Sequence, residues 1–156
     1  MNGRKHVLLA DSSEEFRWLM WKNAANHDFF SLATVGSGRD VLLCMQKQTT
    51  DLLLMDTVLP DVCGLSVLEE LQHRGTPPQK VILLSSIVSE RIIDQAFALG
   101  VSHFISKPFH TDLLFDAMYE LFPGCSCGHW PHSPQQDADN PHPQKIEKPR
   151  RAPQTR

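Results

Sequence analysis

The chain has 156 residues, of which 41% are hydrophobic and 21% are charged, with a net charge of -3. This composition suits one folded domain with a short appendage, excludes disorder throughout, and argues against general nucleic-acid binding. No apolar run reaches the ~18 residues of a membrane span, and the N-terminal apolar run is too short for a secretory signal, so we expect a cytoplasmic protein. Four unevenly spaced cysteines predict no disulfide scaffold.

Composition changes abruptly near Pro123. Residues 123–156 contain 7 of the 11 prolines, only six hydrophobic residues, and a net charge of +2. Such a segment cannot offset its ordering entropy by burial. We therefore predict a folded domain over residues 1–122 and a disordered, mildly basic tail over residues 123–156.

Within residues 1–122, short apolar runs alternate with stretches of helical periodicity. The runs, each predicted to form a strand, are His6–Ala10, Leu32–Val35, Leu52–Met55, Val81–Leu84 and His103–Ile105. The stretches that follow them predict five helices, the first capped by Ser12 or Ser13 and the fourth followed by Gly100. Five strand–helix pairs predict an α/β fold of the flavodoxin-like, doubly wound kind, with a parallel sheet in the order 2-1-3-4-5.

Polar residues follow the carboxyl ends of four predicted strands, where ligands bind in such sheets. These residues are Asp11, Asp56, Ser85 and Lys107. Two neighbouring carboxylates repel unless a cation lies between them, and their oxygens suit magnesium. A lysine and a hydroxyl can hold an added anion, and a carboxylate can act as a nucleophile that forms an acyl phosphate. The pattern therefore indicates phosphoryl transfer onto an aspartate.

Four blocks spanning about residues 5–122 resemble the receiver domain of two-component response regulators. The blocks are Leu8–Asp11, Leu53–Pro60 with Gly64, Leu83–Ser86 and Phe104–Phe109. The stretch from Gly100 to Phe109 is especially similar to the receivers of stage-zero sporulation regulators.

The resemblance implies a phosphorelay role with Mg²⁺ as the cofactor. Asp56 would accept the phosphoryl group from a histidine kinase or a histidine phosphotransfer protein. Asp11, Asp56 and the backbone carbonyl of Val58 would hold the metal. Lys107 would pair with Asp56 and then with the phosphate.

The resemblance also implies a switch. Ser85 would move toward the phosphoryl group, Phe104 would be the aromatic switch residue, and Pro108 would follow a cis peptide bond. The responding surface, expected to serve as output face and homodimer contact, comprises helix 4, strand 5 and helix 5, that is Ser89–Leu99, Ser102–Ile105 and His110–Phe122.

One position departs from the family pattern. Receivers usually carry two adjacent acids after strand 1, whereas here Asp11 is followed by Ser12. Loss of one carboxylate–cation attraction is expected to weaken magnesium binding by ~10–100-fold.

Three functions remain open at this point. The first is a self-phosphorylating signalling module, not a turnover enzyme, with no direct binding to nucleic acid. The second is a degenerate pseudo-receiver that acts by protein–protein contact without phosphate. The third is a small phosphatase or hydrolase, which needs a second acid–base carboxylate near Asp56, and Asp11 is the only candidate.

Two further patterns have alternative interpretations. Trp18 and Trp21 either form an exposed surface for a phosphodonor protein or are partly buried against a neighbouring helix. In the tail, cysteine and histidine offer zinc ligands but match no standard finger spacing; they are Cys125, Cys127, His129 and His132.

Overall fold

The computed structural model describes residues 3–123 and 145–147. Strands and helices alternate along these residues. In chain order they are β1 (Lys5–Ala10), α1 (Glu14–Ala24), β2 (Phe30–Val35), α2 (Gly38–Lys47), β3 (Leu52–Asp56), α3 (Gly64–His73), β4 (Lys80–Ser85), α4 (Glu90–Ala98), β5 (His103–Ser106), α5 (Thr111–Glu120) and β6 (Lys145–Glu147). Among them, no helix is both long enough and apolar enough to cross a bilayer.

The strands form one sheet in the order β2-β1-β3-β4-β5-β6. The first five are parallel to their neighbours. The predicted α/β flavodoxin-like fold with the order 2-1-3-4-5 is therefore confirmed. Every predicted strand is present, although β2 begins two residues earlier than the sequence indicates, at Phe30.

The sixth strand was not predicted. β6 pairs antiparallel with β5, with Ile146 opposite Phe104. Its three residues lie within the segment for which we predicted disorder, because a proline-rich stretch with one isolated isoleucine carries no strand signal. The remainder of that predicted tail, residues 124–144 and 148–156, lies outside the described residues, as does the candidate zinc cluster.

Helices on both faces of the sheet create two hydrophobic clusters. All five residues of β3 are buried, and alternate residues face opposite clusters: Leu53 and Met55 belong to one, Leu52 and Leu54 to the other. Burial on both faces explains why this strand is a continuous apolar run. Each such leucine contributes roughly 1.5–3 kcal/mol of burial energy, which makes the central strands a rigid support for the residues that follow them.

Local signals fix where the helices begin and end. The hydroxyl of Ser13 accepts a hydrogen bond from the amide of Phe16, so Ser13, and not Ser12, caps α1. Beyond α4, Gly100 adopts a φ of 87°, a left-handed conformation that favours glycine and ends the helix. The cap places α1 immediately after Asp11, at the carboxyl edge of the sheet.

Candidate functional site

Three strand ends bring an ammonium group between two carboxylates. Asp11 follows β1, Asp56 ends β3, and Lys107 follows β5. The Nζ atom of Lys107 lies 2.6 Å from Oδ2 of Asp11 and 2.6 Å from Oδ2 of Asp56. The structure therefore joins residues that are up to 96 positions apart in the chain.

Both carboxylates are buried, and each of their oxygens accepts a hydrogen bond. Asp11 is 1% exposed and Asp56 is 7% exposed. Besides the bonds to Lys107, Oδ1 of Asp11 accepts from the amide of Ser13 at 2.8 Å, and Oδ1 of Asp56 accepts from the amide of Val58 at 2.8 Å. Charge-assisted bonds of this kind offset the cost of burying the two charges.

Opposing effects act on the ammonium group. Burial alone would lower the pKa of Lys107, but its hydrogen bonds and charge interactions with Asp11 and Asp56 outweigh burial and raise the pKa. Lys107 therefore stays charged at neutral pH. The ring of Phe16 lies 5.3 Å from Nζ, close enough for a cation–π contact.

The backbone around Lys107 is held in place on both sides. Its amide donates to the carbonyl oxygen of Ser85 at 2.8 Å. The peptide bond to Pro108 is cis, as the resemblance implied. Next along the chain, Phe109 packs edge-on against Phe16, with ring centroids 5.9 Å apart. Strand 5 and helix α1 thus position the ammonium together.

Ser85 is fully buried, and its hydroxyl has three partners. It donates to the carbonyl oxygen of Ile87 at 2.8 Å and accepts from the amide of Ile87 at 3.0 Å. It also lies 2.6 Å from the hydroxyl of Thr57. The Ser85 hydroxyl has only one hydrogen, and it is donated to the carbonyl oxygen of Ile87. In the bond between the two hydroxyls, Thr57 must therefore be the donor.

Sequence reasoning missed Thr57 and a second supporting residue, Arg17. Asp56 pairs with Leu84 in the β3–β4 register, so Thr57 and Ser85 are the next pair, and the sequence pattern alone does not fix that register. Arg17 donates to the carbonyl oxygen of Asp11 at 2.6 Å and thereby ties α1 to the end of β1.

The loop after β3 closes tightly over the site. A Cβ atom at Gly64 would lie 2.5 Å from the carbonyl oxygen of Asp56, so only glycine fits without a shift of the backbone. The amide of Gly64 donates to the carbonyl of Thr57, and Val58 forms an isolated antiparallel bridge with Cys63. Val58 is half-exposed, and its amide is bonded to the Asp56 carboxylate.

The donor set suits magnesium. The set that the resemblance implies comprises the carboxylates of Asp11 and Asp56 and the carbonyl of Val58, all of them oxygen ligands. Within the part of the chain that the structure describes, no group of three or more His, Cys, Asp or Glu residues is placed to hold a metal ion. Such a set fits a cation that keeps several waters rather than one held in a closed protein cage. Ser12 is exposed beside it and offers a hydroxyl where a second acid is usual.

Comparison with known proteins identifies the family of the chain. The family model of the response regulator receiver domain matches residues 7–119. The chain belongs to this family. Its role in two-component signalling as a receiver domain follows from that membership.

Solved structures share the fold of this receiver domain. A signal receiver domain from Vibrio parahaemolyticus has a TM-score of 0.70 at 24% identity, covering 75% of this chain and 88% of that chain. Chemotaxis protein CheY4 of Vibrio cholerae has a TM-score of 0.69 at 19% identity, covering 75% and 98%. The BeF3-activated receiver domain of DrrB has a TM-score of 0.64 at 18% identity, covering 75% and 96%. The similarity to sporulation regulators stays a prediction.

The proposed aromatic switch residue of the receiver domain lies in the core. Phe104 is 0% exposed, in the middle of β5, and packs in the same cluster as Phe97 and Val101. Its register partner on β6 is Ile146, which packs against the same cluster.

The tryptophan pair on α1 of the receiver domain is exposed. Trp18 and Trp21 retain 58% and 61% of their accessible surface, and Leu19 between them retains 42%. The ammonium of Lys22 lies 5.0 Å from the ring of Trp18. Of the two interpretations, the geometry favours an exposed surface over burial against another helix.

Proposed function

We propose that this receiver domain takes a phosphoryl group onto Asp56 from the phosphohistidine of a histidine kinase or a histidine phosphotransfer protein. One observation carries the proposal. The Asp56 carboxylate ends a buried strand, and its two oxygens accept hydrogen bonds from the Lys107 ammonium and the Val58 amide. These donors are suited to stabilise negative charge added at that position.

The phosphoryl transfer needs no oxidant or reductant. A carboxylate oxygen of Asp56 attacks phosphorus, the bond between phosphorus and the histidine nitrogen breaks, and the nitrogen keeps the bonding pair. An acyl phosphate forms on Asp56 and the histidine ring leaves. Lys107 keeps its proton throughout, because its pKa is raised, and it pairs with the phosphoryl oxygens as a fixed cation.

Magnesium is the proposed cofactor, held by Asp11, Asp56 and the carbonyl of Val58. When bound, it supplies positive charge beside the phosphoryl oxygens. Ser12 contributes no carboxylate, so this receiver domain is expected to need more magnesium than relatives with two adjacent acids.

The site supports a single transfer better than hydrolytic turnover. A hydrolase needs a free general base, and Asp11 is the candidate. Its Oδ2 accepts from Lys107 and its Oδ1 accepts from the amide of Ser13, and the same carboxylate is proposed to hold magnesium. We therefore propose a self-phosphorylating signalling module and not a turnover enzyme.

The phosphate is proposed to act on the face formed by α4, β5 and α5. Ser85 uses its only hydrogen on the Ile87 carbonyl, so donation to a phosphoryl oxygen requires that bond to break. Breaking it releases the loop between β4 and α4, where Ile87 and Val88 are each half-exposed. Phe104 is the neighbouring aromatic that would adjust in the core, and this face is the proposed homodimer contact.

The partner is proposed to dock on α1. Trp18 and Trp21 are both exposed and lie three positions apart, on one side of the helix that begins three residues after Asp11. Aromatic side chains on a surface are typical of the centre of a protein interface.

Incubation with acetyl phosphate and Mg²⁺, followed by intact-mass measurement, tests the proposal. We expect an adduct of about 80 Da that is lost in Asp56→Asn. Asp28→Asn is the matched control, because the Asp28 side chain is almost fully exposed and pairs only loosely with Arg4, and it should keep the adduct. No adduct in the wild-type chain favours the pseudo-receiver, and sustained release of inorganic phosphate favours the hydrolase.

A further inference from the structure

The outer edge of the sheet is covered by the chain itself. β5 is the last of the parallel strands, and β6 lies antiparallel along it with His103 opposite Glu147 and Ile105 opposite Lys145. The family model ends at residue 119, so β6 is an addition to the matched domain. An open strand edge exposes unpaired backbone groups, and β6 pairs them along the middle of β5.

The alternation of β6 matches the two faces of the sheet. Ile146 packs against the hydrophobic cluster that contains Phe104, on the side of α4. Lys145 lies on the side of α5, where its ammonium donates to the carboxylate of Glu120. Period-two alternation therefore directs the one apolar residue into the core and the basic residue toward an acid.

Glu120 also lies near the imidazole of His103. Nε2 of His103 lies 3.8 Å from its carboxylate, and the Lys145 side chain is only 15% exposed. The carboxylate at the end of α5 thus faces β5 and β6 together. Its charge favours a basic residue at position 145, so charge and apolar burial both favour this segment in this register.

We propose that Lys145–Glu147 is an intramolecular strap that occupies the β5 edge and excludes a second copy of the chain from the face formed by α4, β5 and α5. Occupancy of the edge can be tested in the chain without phosphate. The identification of this face as the output surface rests on the proposed function. A second copy can pair with β5 only when the strap has left, because both need the same backbone groups.

Hydrogen exchange in the full chain, without phosphoryl donor or magnesium, tests occupancy. We expect Ile146→Asp to accelerate exchange of the His103–Ile105 amides by about ten-fold or more, because the strap is released. Lys145→Glu should also accelerate exchange of these amides. The double variant Glu120→Lys with Lys145→Glu, which swaps the two charges, should restore their protection. Leu43→Asp is the matched control: it places the same charge at an exposed apolar position on α2 and should leave β5 unchanged.

The amides of Leu52–Asp56 report whether each variant keeps its fold. If Ile146→Asp also loses protection there, Lys145→Glu, which leaves both clusters intact, decides the result. Unchanged exchange of His103–Ile105 in a folded Ile146→Asp or Lys145→Glu chain would overturn the strap.

Sedimentation velocity over a range of concentrations tests the competition. Ile146→Asp should self-associate at about ten-fold lower concentration than the wild-type chain and Leu43→Asp. Equal association of the three chains would overturn the exclusion of a second copy. A failure to accept phosphate would overturn the proposed function and leave both of these measurements unaffected.

Discussion

The hydroxyl of Thr57 lies 2.6 Å from the hydroxyl of Ser85, so the residue after the proposed phosphoacceptor is bonded to the proposed switch residue. Both side chains are buried, so a hydroxyl that loses its hydrogen-bond partner here lowers the free energy of unfolding. The β3–β4 register sets this contact, since Asp56 and Leu84 are paired one position earlier. Thr57 therefore helps determine which partner Ser85 contacts.

Thr57→Val should lower the free energy of unfolding by about 1 kcal/mol, because Ser85 loses a donor in a buried setting. In a double-mutant cycle with Ser85→Ala, the two losses should not add, with a coupling of about 0.5–1.5 kcal/mol. Urea unfolding of the four chains measures this. Thr34→Val, a partly buried position on β2, is the control. Strict additivity would show that the two hydroxyls do not act as a pair.

Lys107→Met should destabilise the domain by about 2–3 kcal/mol, because it leaves two carboxylates near each other without a cation. The loss is smaller than for a fully buried pair because 25% of the Lys107 side chain is exposed. Adding Asp11→Asn to this variant should recover part of the stability. Chemical unfolding of the single and double variants tests the charge argument, and a double variant that is less stable than Lys107→Met contradicts it.

Ser12→Asp should tighten magnesium binding by about 10–100-fold, because it adds a carboxylate beside Asp11. Isothermal titration calorimetry gives the dissociation constants directly. Ser102→Asp adds the same charge just before β5, at the opposite edge of the sheet, and should leave the affinity nearly unchanged. An equal gain in both variants would mean that net charge alone, and not the site, sets the affinity.

Acidification should destabilise the domain through His27. This side chain stacks on Phe115 with ring centroids 3.9 Å apart, and its Nδ1 atom lies 2.9 Å from the hydroxyl of Tyr119. Burial lowers the pKa of His27, and the charges of Asp112 and Asp116 only partly oppose this. As the pH falls, His27 therefore takes up a proton in the unfolded chain before it does so in the folded chain. The contribution of His27 to the free energy of unfolding is complete above pH ~6.5. It is lost as the pH drops toward the pKa of His27 in the folded chain, by at most about 1.4 kcal/mol per pH unit.

Urea unfolding between pH 8 and about pH 5 measures how the free energy of unfolding changes with pH. This range covers the ordinary histidine pKa of about 6.5. His27→Gln should be less stable at pH 8 but should show a flatter pH profile than the wild-type chain. Matching profiles for the two chains would assign the acid sensitivity to other groups.

Replacing Trp18 and Trp21 with alanine should slow phosphotransfer from a histidine donor protein while leaving acetyl phosphate unaffected. The two rings are more than half exposed, so their removal should cost little stability. Stopped-flow or quenched-flow transfer rates with each donor provide the comparison. An equal loss with both donors would reject a docking role.

The sequence predicts the central sheet well because burial on both faces leaves a local signature. Leu52–Met55 is continuously apolar, and the structure buries each of its residues. The start of β2 at Phe30 is harder to predict, because Phe30 is buried by rings on α5 and just beyond it, Tyr119 and Phe122, which lie far along the chain. β6 has almost no local signal, since its pairing depends on an edge that exists only after the sheet has formed.

At the site, too, some features have a signal in the sequence and others depend on contacts formed only in the folded chain. Asp11, Asp56 and Lys107 were predictable as neighbours because the carboxyl ends of parallel strands meet at one edge. The bonds of Thr57 to Ser85 and of Arg17 to the Asp11 carbonyl depend on side-chain geometry, which periodicity does not encode. The phosphoryl chemistry itself stays a prediction that the experiments above test.

The Lys107 ammonium gives the two carboxylates a counterion that belongs to the chain. In small zinc domains the polypeptide folds only when the metal arrives, so ion supply and native structure are linked. Here the covalently attached cation lies between Asp11 and Asp56 at 2.6 Å from each. The two buried carboxylates therefore have a counterion in the folded chain without any added metal, and on the proposed function a change in magnesium concentration would alter phosphate uptake and leave that counterion in place.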